Sequence, residues 1–193
     1  MKKIILTIAL VAAAAISANA QLRVEAGFSA GNYVYDDVTT NPRMAPQVRA
    51  FYEICHFGEN AGLEVGAAIT GHKAHQKDFK STTSTTNLDI PAHLFYNLNF
   101  GGVVITPMIG LYGSYAVSGK FKGPDVKVDM YKDSDFDAGI RRFDLGMDDE
   151  LLITIRDHFT VGLGGQIGFL NISDVKGVKT RSNAMYVTVG WKF

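Results

Sequence analysis

Apolar and polar residues alternate along most of this chain. At its end Met185, Val187, Val189, Trp191 and Phe193 occupy one face, with Ala184, Tyr186, Thr188, Gly190 and Lys192 between them. A period of two is the mark of an extended strand with two unlike faces. Leu22, Val24, Ala26, Phe28 and Ala30 alternate in the same way with Arg23, Glu25, Gly27, Ser29 and Gly31. Val48 to Ile54 stand against Gln47, Arg49, Phe51, Glu53 and Cys55, and Leu63 to Ile69 against Glu64, Gly66, Ala68 and Thr70. The longest stripe runs from Leu88 to Phe100, opposite Asn87, Asp89, Pro91 and His93; three more run from Val103 to Tyr115, Phe143 to Ile155 and Phe159 to Phe169. The pattern predicts eight strands and no amphipathic helix.

The predicted connections alternate in length. Short turns at Phe57–Asn60, Asn99–Gly102 and Arg156–His158 separate longer polar stretches at Asp36–Pro42, His72–Thr86, Gly119–Asp135 and Ser173–Arg181. An up-and-down antiparallel meander places all long loops at one end and all tight turns at the other. Ahead of the first strand, Lys2 and Lys3 precede an apolar run from Ile4 to Ile16, followed by Ala18-Asn19-Ala20. This is the order of a cleaved secretory leader over residues 1–20, too short to span a bilayer, with one barrel domain over residues 21–193.

Composition narrows the function. Nineteen basic residues balance nineteen acidic ones, so no charge excess draws the chain to nucleic acid. Cys55 is the single cysteine, which excludes an internal disulfide, and it has no partners at zinc-ligand spacing. No spacing encodes a cofactor, a metal centre or a catalytic set.

Alternation alone does not say which face is inside. A soluble barrel points its apolar stripe inward, and an outer-membrane barrel inverts the pattern. Three features favour inversion. Several stripes are long enough to cross hydrocarbon, the polar face combines small residues with charges of both signs, and aromatics such as Tyr52, Tyr96, Tyr115, Phe159 and Trp191 sit near strand ends. The expectation is an all-β, eight-stranded, up-and-down antiparallel transmembrane β-barrel in the outer membrane of a Gram-negative bacterium.

Val189, Trp191 and the terminal Phe193 resemble the signal read by the barrel-assembly machinery. The stretches Asn87-Leu88-Asp89-Ile90-Pro91, Phe143-Asp144-Leu145-Gly146, Gly164 to Ile172, and Val189-Gly190-Trp191-Lys192-Phe193 resemble the PorT-like outer-membrane β-barrel family common in Bacteroidota. That resemblance implies the same fold, a loose association with porins and, for one branch, with protein secretion. It implies no catalytic residue.

With the apolar stripe outward, the lumen holds Arg23, Arg49, Arg142 and Arg156 with Glu25, Glu53, Glu64, Asp89, Asp144, Asp148 and Glu150. Buried ions cost several kcal/mol unless paired, so a hydrogen-bonded network that plugs the barrel is expected. An eight-stranded interior is about wide enough for its own side chains. Asp149 falls in the lipid-facing phase between Met147 and Leu151, which predicts either a position near the membrane edge or a β-bulge between Gly146 and Glu150.

His72, Lys73, His75, Lys77 and Lys80 are expected as a solvated basic loop able to touch lipopolysaccharide phosphates. His72, His75, His93, Ser81, Ser84 and Asp78 are the residues from which an outer-membrane hydrolase would be built. The leading expectation is a structural or interaction barrel whose partners are outer-membrane lipid, lipopolysaccharide, the assembly machinery and a surface or secretion-machinery protein. A narrow porin, a lipid-modifying enzyme and a ligand-carrying periplasmic barrel are the alternatives.

Overall fold

The computed structural model describes residues 22–35, 38–77, 80–131 and 140–193. The leader expected over residues 1–20, and Asp78 of the hydrolase set, lie outside the described residues. Eight long strands account for most of the rest. They are β1 (Leu22–Tyr35), β2 (Asn41–Phe57), β3 (Ala61–Gln76), β4 (Ser81–Tyr96), β5 (Val103–Lys122), β6 (Phe143–Ile155), β7 (Phe159–Gly168) and β8 (Thr180–Lys192). Each pairs antiparallel with its predecessor, and β8 pairs with β1 from Arg23↔Lys192 to Tyr35↔Thr180. The ring is therefore closed, and every long strand has two neighbours. Closure is what lets a sheet stand in hydrocarbon, where an open edge would leave backbone N–H and C=O groups unpaired.

The alternation resolves into an apolar exterior and a polar interior. Leu94, Ile109 and Val189 are more than half exposed, while Arg49 and Glu64 are each 2% exposed. Exposed Tyr96, Phe100, Phe159 and Trp191 ring the end with the tight turns, and Tyr115, Phe143 and Phe169 ring the other. The 13 residues of β6 cover about 40 Å along the strand at ~3.3 Å each, and about 30 Å across a bilayer at a tilt of roughly 40°. That matches the thickness of a hydrocarbon core.

Three local expectations are corrected. The stretch His72–Thr86 is mostly barrel wall: β3 continues to Gln76 and β4 begins at Ser81, so only residues 77–80 lie between them. Likewise β5 runs on to Lys122 and is met by a short returning strand, Lys127–Asp129. A strand that has left the membrane needs no apolar face, so alternation fades while pairing continues. The third correction concerns Asp149. Pairing of β6 with β5 is unbroken from Phe143 to Ile155, and with β7 from Gly146 to Ile155, so there is no bulge. Asp149 faces outward at mid-strand, paired with Ile109 and Gly165. Gly165 leaves the carboxylate room to lie along the wall, with Oδ1 3.6 Å from where a Cβ would stand. The register shifts lie elsewhere, between Arg43 and Gln47, between Glu53 and Cys55, and opposite the Thr86–Asn87 step.

Candidate functional site in the barrel lumen

The inward phase of five strands converges on one ion network, and two more strands border it. Arg23 and Glu25 come from β1, Arg49 from β2, Glu64 from β3, His93 from β4, and Asp148 and Glu150 from β6, with Gln166 of β7 and Tyr186 of β8 at its margin. Arg23 forks between Glu25 and Glu64, the latter at 2.6 Å, and approaches Glu150 at 3.5 Å. Arg49 holds Glu150 at 2.9 Å and Asp148 at 3.1 Å. His93 Nδ1 lies 3.0 Å from Glu64 Oε1, and its Nε2 lies 3.7 Å from Asp148 Oδ1. Tyr186 donates to Asp148 at 2.6 Å and the Gln166 amide donates to it at 3.0 Å. Such a network is costly in desolvation and holds together because nearly every charge has a partner.

Aromatic rings complete it. The Phe51 ring lies 4.3 Å from the Arg23 guanidinium carbon and 4.7 Å from that of Arg49 and offers both a π face. Tyr186 stacks on Arg49 from elsewhere in the lumen at 4.3 Å. Glycine supplies the space: a Cβ on Gly162 would stand 2.2 Å from Glu150 Oε1, and one on Gly164 would stand 2.3 Å from the Tyr186 ring.

Other polar groups lie outside this cluster. Asp89 accepts hydrogen bonds from Thr70 and Ser114, and Asp144 accepts from the Tyr112 hydroxyl at 3.1 Å and the Leu145 N–H at 2.8 Å. Hydroxyls serve these two carboxylates where guanidinium groups serve the others. At the end with the tight turns, Lys192 donates to Glu53 at 2.6 Å, and His56 faces the other Glu53 oxygen at 3.2 Å.

Three residues are not where the sequence put them. Arg156 is exposed in the turn after β6, at φ 50°, because the strand ends at Ile155 and the ladder no longer sets its direction. Arg142 stands at the opposite mouth, just before β6, stacked 4.3 Å from Tyr131 and donating to its carbonyl at 3.1 Å. Burial pushes the Tyr131 phenol above its usual range, against the opposing pull of Arg142. His72 belongs to the lumen and not to a loop: it is buried, stacked on Tyr33 at 5.8 Å, and its Nε2 meets the Asn183 carbonyl at 3.0 Å. Of its expected companions, Lys73 and His75 lie on β3, and Lys77 and Lys80 on the turn that follows. The sequence reading left His93, Phe51 and Tyr186 out of the network, although each shares the phase of a charged neighbour (Asp89, Arg49 and Lys192). Phase was the signal that could have found them.

Side chains occupy the lumen at the height of the network. One cavity of about 150 Å³ opens beneath Arg23 and Glu64 toward Lys192, and another of about 20 Å³, the volume of roughly one water, lies among Tyr33, His72, Tyr112 and Asp144. They share no lining residue. Among the described residues the three hydrolase histidines stand apart: His72 is occupied by a carbonyl, His93 is sealed in the network, and His75 pairs with Thr82 on the wall at 3.0 Å. Among the described residues no group of three His, Cys, Asp or Glu side chains is placed to share a metal ion.

A family model described as outer membrane protein beta-barrel domain matches residues 4–193. No curated protein matches the sequence significantly. Among solved structures, Neisserial surface protein A is similar at a TM-score of 0.57 and 15% identity, over 89% of this chain and 97% of that one. The attachment invasion locus protein Ail of Yersinia pestis is similar at 0.52 and 9% identity, over 90% of this chain and 99% of that one. Ail in complex with the heparin analogue sucrose octasulfate gives 0.54 and 11%, with the same coverage. At these identities the likeness is one of fold.

Proposed function

Because the chain belongs to the outer membrane protein beta-barrel domain family, we propose that this small outer-membrane barrel works as a structural or interaction platform with a sealed lumen. The observation that carries this reading is the network around Arg23, Arg49 and His93, which fills the barrel between its two cavities. Nothing the size of a hydrated solute fits between such residues without breaking several buried ion pairs at once.

In this reading the tight turns face the periplasm and the taller wall faces outside the cell, where lipopolysaccharide and a surface or secretion-machinery protein are the partners. Val189, Trp191 and Phe193 serve assembly: all three sit on the lipid-facing side of β8, about half exposed, where a receptor strand can read them. Residues 1–20 are the export leader, and the motifs shared with PorT-like barrels set the chain beside that branch. The test is conductance of the purified protein in planar bilayers, run with a gel assay for heat-dependent mobility that certifies a closed barrel. A folded barrel that adds no steady current supports the plug. Large, steady single-channel conductance would replace it with the narrow-channel alternative.

A further inference from the structure

The wall that rises above the membrane on β2 to β5 carries an ordered row of cations. Register places Arg43 beside Lys73, Lys73 beside Ser84, and Ser84 beside Lys120, across four adjacent strands. Residues aligned in this way project from the same face of a sheet. Arg43, Lys73 and Lys120 are exposed, Lys73 and Lys120 on the outer face of their strands and Arg43 at the register shift in β2, where it is aligned with Lys73 on one side and with Gly31 on the other. At a strand spacing of about 4.8 Å the row is roughly 15 Å long. One step further from the membrane a second row holds His75, Thr82, Lys122 and Lys127, with Lys122 paired in register to both Thr82 and Lys127.

The height of the row matters as much as its charge. Below it on the same strands, past Gly71, Thr86 and Ser118, the outward positions are apolar: Met44 and Val48 on β2, Ile69 on β3, Leu88 on β4, and Tyr115 and Val117 on β5. Lys73 stands four residues above Ile69, or about 10 Å along the axis of a tilted strand. That is where acyl chains give way to headgroups. Among the described residues the acids beside the row are Asp129, aligned with Lys120 and accepting from the Tyr131 backbone N–H at 3.3 Å, and Asp125 in the hairpin. The opposite wall differs, since there Arg141 is bound to Asp174 at 2.6 Å.

We propose that the outer face of β2–β5 is a docking surface for the phosphates of a phosphorylated outer-leaflet glycolipid, with Arg43, Lys73 and Lys120 as the cations and Ser84 as the hydroxyl donor between two of them. The proposal rests on the outer-membrane reading above and names one partner within it. A phosphate offers several acceptor oxygens, and donors from neighbouring strands meet it as charge-assisted hydrogen bonds while the acyl chains lie against the apolar belt beneath. Each cation near an anionic membrane surface contributes about a fivefold gain in binding.

The test uses the full barrel refolded in detergent and titrated with lipopolysaccharide, with its dephosphorylated form and with inorganic phosphate, bound lipid being counted by native mass spectrometry. The variant Arg43→Gln/Lys73→Gln/Lys120→Gln is expected to weaken lipopolysaccharide binding at least about tenfold. The control Lys176→Gln/Lys179→Gln/Arg181→Gln, equal in charge removed, is expected to change it less than about twofold. Equal loss in both variants, undiminished binding of the dephosphorylated lipid, or inorganic phosphate competing as well as the lipid binds, would each overturn the proposal. Failure of the outer-membrane reading itself would show separately, as gel mobility that does not depend on heating.

Discussion

Asp148 and Asp149 are consecutive in β6 and share a height in the barrel, yet they face two different solvents. Asp148 is fully buried in the lumen and is held by Arg49, Tyr186 and Gln166. Asp149 points at lipid beside Ile109, with its backbone carbonyl accepting from Tyr186 at 3.2 Å. The difference shows how the two surfaces of this barrel are stabilised. The interior tolerates charge because seven strands bring partners to it. The exterior tolerates almost none, and its single mid-height acid is accommodated by the space over Gly165.

The largest effect should come from breaking the interior. Arg49→Met leaves Asp148 and Glu150 without a guanidinium and should cost about 3–5 kcal/mol in urea unfolding of the refolded barrel. A loss below about 1 kcal/mol would mean that water, and not Arg49, satisfies those carboxylates. Next, a cation on the exterior should be nearly as harmful: Val187→Arg, on the lipid-facing side of β8, should cost about 2–4 kcal/mol and reduce the heat-modifiable fraction after folding into vesicles. An unchanged fraction would place Val187 outside the hydrocarbon.

Smaller effects sharpen the contrast. Asp89→Asn keeps one oxygen as an acceptor and turns the other into an NH2 donor, to which the Thr70 or Ser114 hydroxyl can turn its lone pair, so it should change stability by less than about 1.5 kcal/mol. A loss as large as that of Arg49→Met would show that Asp89 belongs energetically to the ion network. Smallest and opposite in sign, Asp149→Leu should stabilise the barrel in lipid by about 1 kcal/mol, since acids facing hydrocarbon cost less than basic residues do. Destabilisation there would reveal a partner for Asp149 on the lipid side.

Much of this architecture was legible in the chain because a strand's two faces have a fixed period. Once the apolar stripe of Met185 to Phe193 was assigned outward, Arg23, Glu25, Arg49, Glu64 and Asp148 had to share an interior. Phase failed where strands end or slip. Arg156 left the lumen because a turn intervenes, and the shift between Arg43 and Gln47 brings Arg43 into line with Lys73. The stretch from His72 to Thr86 read as a loop because the wall above the membrane has no apolar face to keep the alternation going.

The sequence by itself determined the number of strands, their two-faced character and the residues assigned to each face, since these follow from local period and turn chemistry. Only the tertiary structure decided which charges meet. Partners such as Arg49 and Glu150 lie 101 residues apart, and closure and stagger of the sheet bring them together. The same stagger aligns Arg43, Lys73, Ser84 and Lys120 into a row, although no spacing along the chain relates them.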